Sequence, residues 1–531
     1  MAIPKPSLDQ LMQSIKANIK RYRIEQASVP RPAALSRAEM MEEDTEVEFT
    51  TRTTDQEVCA VEISPLHPEY MIIGTYSLVK KDDRRDYEAQ TRKGSLQIMT
   101  VSETFKPRYA GMLPPQLHRV DFASAVLDLH FHPADGSLLG VATSNAQMQF
   151  FRFVKHGDVL GRRVMTKLIL LGTATVADPD EHGLVPLVTQ FLWFPEMRVH
   201  GVSAISDVQQ VSFAVTTSLG ETRVVKVALP AIKDMFDERL SRPGTGLEQQ
   251  QSLHVEATTV HQHDLEAWTV ASIDLPAGAS EQQQQEISQR LILSGGDDSA
   301  LIASAWNIDT WESICSPLWK DRRTHTAGVV SILPLAPVNT FTPLITGSYD
   351  EFIRIYELNP SQFPFRATFK TELRLNGGVW RLKVLDQYSS NNNNHQHQHH
   401  TLILASLMHG GASILRLTHT YDSGSSQSDT SGTGIWTITP LTLFRSGHES
   451  MVYCCDAIRE HPDASAPMPG ADAGPAPTKS GPNHAAEHKH VTIDKEDPTT
   501  APPTYTVVST SFYDKKICTW TFVDRFKAEI L

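Results

Sequence analysis

Positive charge is in short supply: 48 Lys and Arg stand against 61 Asp and Glu in 531 residues, a formal net charge of −13. Binding to phosphate backbones depends on Lys and Arg neutralising phosphates, so nucleic acid is not expected as a primary ligand. Long apolar runs are missing as well. The longest, such as TKLILLG ending at Gly172, are strand-sized, whereas a bilayer span needs roughly 20 apolar residues, so no membrane segment is expected. Cysteine is scarce, and Cys59, Cys315, Cys454, Cys455 and Cys518 have neither metal-binding nor redox spacing. The N-terminus shows no apolar signal core with a small-residue cleavage site, which makes a reducing cytoplasm the expected location. No motif calls for a cofactor or a metal.

What is present is ordinary in composition, 40% apolar and 21% charged, as for a soluble globular protein. In the opening stretch PSLDQLMQSIKANIKRYRI, Leu8, Met12, Ile15, Ile19 and Tyr22 recur at helical spacing behind a Ser7-x-x-Gln10 capping box. One short amphipathic helix with a linker is expected over residues 1–45. Beyond it the pattern changes to strands that repeat. HTAGVVSILPL…PLITGSYDEFIRIYEL (325–358) and HESMVYCCDAI…YTVVSTSFYDKKICTWTF (448–522) both run His, strand, strand ending in small residues, aromatic-Asp turn, strand. Residues 263–308 and 377–417 are further copies, and weaker ones lie at 58–101, 124–153 and 187–229, making seven.

Units of about 40–45 residues built from short strands are the signature of WD-repeat propeller blades, which bury their faces only by stacking around a ring. The expected fold is therefore all-β: a seven-bladed WD-repeat β-propeller over residues 46–525, with disordered inserts. EVEFTTRTT (46–54) is a strand without a blade and is expected to complete the last one, closing the ring and removing exposed edges. With strands A to D in each blade, the B–C turns and blade links share one face. The polar inserts at 281–286, 391–400, 422–434 and 461–503 fall on the other, and such tracts do not recover their ordering entropy. The His run in NNNNHQHQHH fixes no coordination geometry. KKDDRRDYEAQTRK (80–93) is the exception on the first face. A closed ring needs no partner for stability, so a monomer is expected.

The first face collects HDLEAW, HTAG, SYDE, GGVWR, LMHGG, HESMVY and SFYD. These strings, in this order, resemble the WD-repeat diphthine methylesterases of diphthamide biosynthesis. The resemblance spans about residues 55–523 and is carried mainly from 263 onward. It implies an enzyme, a carboxylic ester hydrolase that removes the methyl ester of methylated diphthine, a modified histidine of translation elongation factor 2, ahead of the final amidation. The other use of such a fold is a non-catalytic scaffold presenting elongation factor 2 or another partner to a separate enzyme, because a fold does not name a function.

Typical WD blades tie a His at the blade link, an Asp in the B–C turn and an aromatic on strand C into one network. His325, Asp350 and Tyr356 fit it, as do His448, Asp514 and Trp520, and less closely His263, Asp298 and Trp306; these are expected to be scaffold. Blade six departs from the pattern, placing His409 where its neighbours have the network Asp, with no His at its link. His409 is either a solvated loop residue or a general base, for which an imidazole suits.

Trp268 and Tyr453 stand five residues after His263 and His448; the blade-six equivalent is Trp380 and the blade-five equivalent Val330. The substrate implied by the resemblance carries a trimethylammonium group, and aromatic faces attract quaternary ammonium. Trp268, Trp380 and Tyr453, with Tyr349 or Tyr513, either cage that group or pack between blades; Glu351 shares their face. No G-x-S-x-G elbow supplies a nucleophile. The expected chemistry is a water activated by His409 or Glu266, with Arg381 or the Gly-Gly amides at 377–378 and 410–411 polarising the carbonyl. Arg381 equally suits the substrate carboxyl region or a salt bridge within the fold.

Overall fold

A computed structural model describes residues 44–79, 91–102, 112–200, 208–230, 252–275, 289–338, 341–359, 367–391, 396–422, 434–460 and 502–530. The expected N-terminal helix lies outside the described residues, as do the inserts at 281–286, 423–433 and 461–501 and most of 80–93.

β1 (Phe49–Thr53) precedes blade one, which is β2 (Glu57–Ile63), β3 (Tyr70–Leu78), β4 (Arg92–Thr100) and β5 (Arg119–Phe122). Blade two is β6 (Val126–His132), β7 (Asp135–Thr143), β8 (Gln147–Gly157) and β9 (Val164–Thr175). Blade three is β10 (Val188–His200), β11 (Val208–Thr217), β12 (Glu221–Leu229) and β13 (Val255–Gln262). Blade four is β14 (Ala267–Leu275), β15 (Gln289–Gly296), β16 (Leu301–Asn307) and β17 (Glu312–Asp321). Blade five is β18 (Val329–Pro334), β19 (Thr342–Ser348), β20 (Phe352–Leu358) and β21 (Ala367–Arg374). Blade six is β22 (Arg381–Asn391), β23 (Gln396–Ser406), β24 (Ala412–Asp422) and β25 (Ile435–Phe444). Blade seven contains β26 (Val452–Arg459), β27 (Thr504–Ser511) and β28 (Lys516–Val523).

Each blade is a four-stranded antiparallel sheet, and the fourth strand of blade seven is β1, paired from Phe49↔Trp520 to Thr53↔Lys516. The segment before β1 is stitched to blade six: Thr45 N–H donates to Leu443 O at 2.7 Å, and Asp44 Oδ1 accepts from the Arg445 amide at 2.8 Å. Consecutive inner strands touch around the whole ring, with β26 against β2. Past β28 the chain forms a helix the sequence reading did not include, α1 (Arg525–Ile530), with Asp524 accepting from the Lys527 amide at its start.

Seven apolar clusters hold the ring, one between each pair of neighbouring blades. Trp193, Phe150, Phe191 and Phe213 make the layer between blades two and three, and Phe444 stacks on Trp520 between six and seven. Each such side chain contributes about 1.5–3 kcal/mol by leaving water. An eighth cluster does not follow this plan: Trp268, Val330, Tyr349, Trp380, Met408, Met451 and Tyr453 come from four different blades.

One insert departs from expectation. Gln396–His400 is not a loose polar tract but the first half of β23, with Ser389↔His399 and Asn391↔His397 in register. Its period-two alternation gives each imidazole a partner across the ladder. His399 bonds Ser389 Oγ at 2.7 Å and the Tyr421 hydroxyl at 3.0 Å, while His400 bonds Ser390 Oγ at 2.8 Å and stacks on Tyr388.

Candidate functional site

Six of the seven inner strands begin with the same irregularity. Pairing with the second strand skips one residue after Val58, Val126, Val188, Ala267, Val329 and Val452. The skipped residues are Cys59, Leu127, Thr189, Trp268, Val330 and Tyr453. In blade six Trp380 holds the position just before β22, its N–H on Ser406 O at 2.9 Å. The alignment is fixed by packing: a Cβ on Gly295 would lie 2.6 Å from Val329 O, and a Cβ on Gly347 would lie 2.6 Å from Val379 O. A β-bulge leaves its extra residue out of the ladder and re-aims the side chain.

A second ring of positions lies in the B–C turns. Ser144, Ser218, Asp297, Tyr349 and Phe512 each donate a backbone N–H to the residue just before the inner strand of their own blade, at 2.9–3.0 Å. Tyr76 and Met408 complete this ring by register.

Trp268 of blade four and Trp380 of blade six have ring centroids 5.7 Å apart, although a whole blade separates them in the ring. Only at the axis, where inner strands converge, is such contact possible. Tyr453 meets Trp380 edge-on at 5.3 Å, and Tyr349 lies 5.8 Å from it on the other side. The three aromatics expected to gather therefore do, with Tyr349, at one mouth of the central channel. They are 5–8% exposed, so the rings pack on one another.

Asp297, which sequence reading passed over, occupies the turn position that holds Tyr349 in blade five and Phe512 in blade seven. A Cβ added to Gly328 would meet Asp297 Oδ1 at 2.8 Å and the Tyr349 ring at 3.0 Å, so the carboxyl is wedged between the two turns. The Trp268 indole is close enough to favour the Asp297 carboxylate, yet neither Trp268 Nε1 nor Asp297 Oδ1 completes a hydrogen bond of ordinary geometry. The buried Tyr349 hydroxyl also lacks a partner. Burial, followed by the nearby Glu266 and Asp298 charges, pushes the Asp297 carboxyl up to about 7 against the pull of Trp268. Burial likewise raises Tyr349 well above the ordinary phenol value, with Asp297 adding to the effect.

Arg381 lies over the Trp380 ring at 5.0 Å and reaches Val330 O at 3.4 Å. Among the described residues no carboxylate comes within ion-pair distance of it, so the salt bridge held open as an alternative does not form. Its charge is felt by Asp128 of blade two, Tyr349 of blade five and Cys454 of blade seven, which places it in the channel. Deeper charges are paired: Glu62 and Asp128 both contact His130, and Lys383 contacts Asp456. Burial opposes the His130 proton, but the two carboxylates hold that ring protonated up to about 10.

The other candidates fall differently. His409 is exposed on its turn, while Met408 before it enters the aromatic cluster. Glu266 is half-buried beside Asp297, whose amide bonds Glu266 O at 2.9 Å. Glu351 does not face the cluster; its carboxylate holds Arg374 at 2.8 Å. Tyr513 is 46% exposed, and Phe512 takes the place expected for it, 4.9 Å from Tyr453. The reason is one extra turn residue: Gly347 pairs with Ile353, but Thr510 pairs with Ile517. The amides of Gly410 and Gly411 are engaged by Leu407 O and Met408 O, which removes them as carbonyl donors.

The networks are built through strand-B hydroxyls rather than directly. His263 does bond Asp298 at 2.8 Å, and its other nitrogen bonds Ser294 at 2.7 Å. His448 bonds Ser509 and Ser511 at 2.8 Å, and Trp520 reaches the same Ser509. Asp514 instead accepts from the Glu449 amide and Ser450. His325 bonds Thr346 at 2.9 Å and stacks on Tyr356, whereas Asp350 takes the stronger, fully charged partner Arg354 at 2.9 Å. Trp306 is outside the network: its Nε1 is unbonded, and His261 bonds Ser294 and Ser304 in blade four. Blade six has Ala405 at the hydroxyl position, consistent with its lack of a link His.

No family model matches the sequence. A protein of Schizosaccharomyces pombe named diphthine methyltransferase is 25% identical over 377 residues, covering 70% of this chain and 84% of its own. A Saccharomyces cerevisiae protein of the same name is 25% identical over 376 residues, covering 66% and 82%. Among solved structures, Chaetomium thermophilum Sqt1 bound to the N-terminus of the ribosomal protein L10 is similar over 69% of this chain and 85% of that one, at 12% identity and a TM-score of 0.33. No helix among the described residues is long and apolar enough to cross a membrane.

Proposed function

We propose that the protein acts in diphthamide biosynthesis, hydrolysing the methyl ester of methylated diphthine on translation elongation factor 2. The observation that carries this reading is the channel mouth of blades four to seven, where aromatic faces, a buried carboxyl and a guanidinium with no ion-pair partner among the described residues meet. The names of the two relatives point to the same substrate.

In this reading Trp268, Trp380, Tyr453 and Tyr349 receive the trimethylammonium group, since aromatic faces attract cations most strongly when desolvated. Arg381 polarises the ester carbonyl and stabilises the oxyanion. A water is the nucleophile, activated by a base of the rim, for which His409, Glu266 and Asp297 are the groups at hand. The leaving group is methanol and the product a carboxylate ready for amidation. The protein substrate docks on the face carrying the B–C turns, as a cytoplasmic partner.

The test is incubation of purified protein with methyl-esterified elongation factor 2, followed by mass spectrometry. Loss of one methyl ester per substrate, with release of methanol, is expected. Retention of the ester would leave the scaffold role; gain of a methyl group from S-adenosylmethionine would replace hydrolysis by transfer.

A further inference from the structure

Three polar atoms at the channel mouth are buried without a hydrogen-bond partner: Trp268 Nε1, Asp297 Oδ1 and the Tyr349 hydroxyl. Native interiors satisfy nearly all such groups, so three together mark a place where a ligand supplies what the protein does not. Of the positions on the two rings of the mouth, Asp297 is the one that carries an acid. The groups facing it are Glu266 from the link before β14, its neighbour Asp298, and Tyr349 from the turn of blade five. Asp298 is occupied by His263, Lys320 and Arg322. Among the described residues, no cation comes within ion-pair distance of Asp297.

We propose that Asp297 is the general base of this site, with Glu266 as the neighbour that tunes it. The inference rests on the hydrolytic reading above. Asp297 takes a proton from a water whose oxygen forms the new bond to the ester carbonyl carbon. The carbonyl π pair moves onto oxygen beside Arg381. On collapse the carbonyl re-forms, the bond to methoxide breaks, and the proton on Asp297 passes to methoxide to give methanol. A carboxyl whose proton is held to about 7 matches this task better than an ordinary one, because a base works best near its operating pH. The like charge of Glu266 helps to keep it there. His409, by contrast, is exposed on its turn while Met408 before it is buried in the cluster.

The experiment measures kcat/KM against pH for the full chain and for Asp297→Asn, Glu266→Gln and His409→Ala, with melting temperatures for each. The wild-type profile should rise through a limb near pH 7. Asp297→Asn should lose about 10²–10⁴-fold in kcat with KM little changed, and the limb should vanish. Glu266→Gln should move the limb to lower pH, since one like charge is gone. If Asp297→Asn folds and turns over like wild type, or His409→Ala alone abolishes the limb, the assignment of Asp297 is overturned while hydrolysis stands. An inactive wild type would overturn hydrolysis and this inference with it.

Discussion

Blades one to three and blades four to seven carry the same bulge and the same turn, yet use them oppositely. In the first half the polar bulge side chains and the two serines of the turns are bonded back into the scaffold. Cys59 Sγ donates to Val126 O at 2.8 Å, Thr189 Oγ1 to Ala267 O at 2.5 Å, and Ser144 and Ser218 accept from the Ala125 and Leu187 amides. In the second half the equivalent positions hold Trp268, Trp380 and Tyr453, with Asp297, Tyr349, Met408 and Phe512, and three polar atoms are left open. One half ties these positions into the scaffold and the other leaves polar atoms open, from a single repeated geometry. Within one repeat fold, bonds are left unmade at positions where the sister repeats make them.

The comparison can be broken most sharply at the bulge. Trp380→Ala should lower stability by about 3–5 kcal/mol, and Trp380→Ala and Tyr453→Ala should each lower kcat/KM by roughly 30-fold, as expected for a lost cation–π face worth about 2 kcal/mol. Leu127→Ala, the same position in blade two, should leave turnover unchanged. Equal kinetic effects in the two halves would dissolve the distinction.

Next in size is the cost of the open carboxyl. The folded state raises the Asp297 pKa to about 7, above the ordinary carboxyl value, so the native protein holds this proton more tightly than the unfolded chain. That contribution is present at low pH and is lost as pH rises toward and past 7. Asp297→Asn should therefore raise the melting temperature by several degrees at pH 8 and by little at pH 4. A gain of equal size at both pH values would show that the carboxyl is not strained by its surroundings.

Smaller, and equal in both halves, should be the effect of filling the shared glycine pocket. A Cβ on Gly74 would lie 2.4 Å from Val126 Cγ1, and on Gly347 2.6 Å from Val379 O. Gly74→Ala and Gly347→Ala should each cost about 1–3 kcal/mol in denaturant unfolding. The mildest effect is expected from acid. Burial holds His325 and His448 neutral down to about 4, below their unfolded value near 6.5. Their contribution is complete above pH 6.5 and fades as pH falls toward 4. Amide exchange over that range should accelerate in blades five and seven; unchanged exchange in both would contradict it.

The fold was legible because blade copies repeat at strand resolution, and even the closing strand stood out as EVEFTTRTT without partners. The aromatic gathering was legible too, from counting five residues past a link His. What stayed hidden were single-residue offsets. The extra residue in the turn of blade seven exchanges Tyr513 for Phe512, a shift that spacing from Asp514 cannot reveal. Asp297 was masked by Asp298 beside it, since in SGGDDS only one Asp fits the blade pattern and the other has no precedent among the copies. The network hydroxyls Ser294, Thr346 and Ser509 are small residues on strands, where sequence gives them no distinction from packing. Asp350 was paired with His325 by pattern, but Arg354, four residues on, competes with a full charge.

The pairing of β1 with β28 has a temporal consequence. Thr51 contacts Cys518 across 467 residues of chain, so β1, the first of the described strands, must wait for nearly the last before it has a neighbour. On the ribosome blades can form in turn, but blade seven stays one strand short until β28 meets β1. Chains interrupted before β28 should thus carry most of the blades without the closing pair.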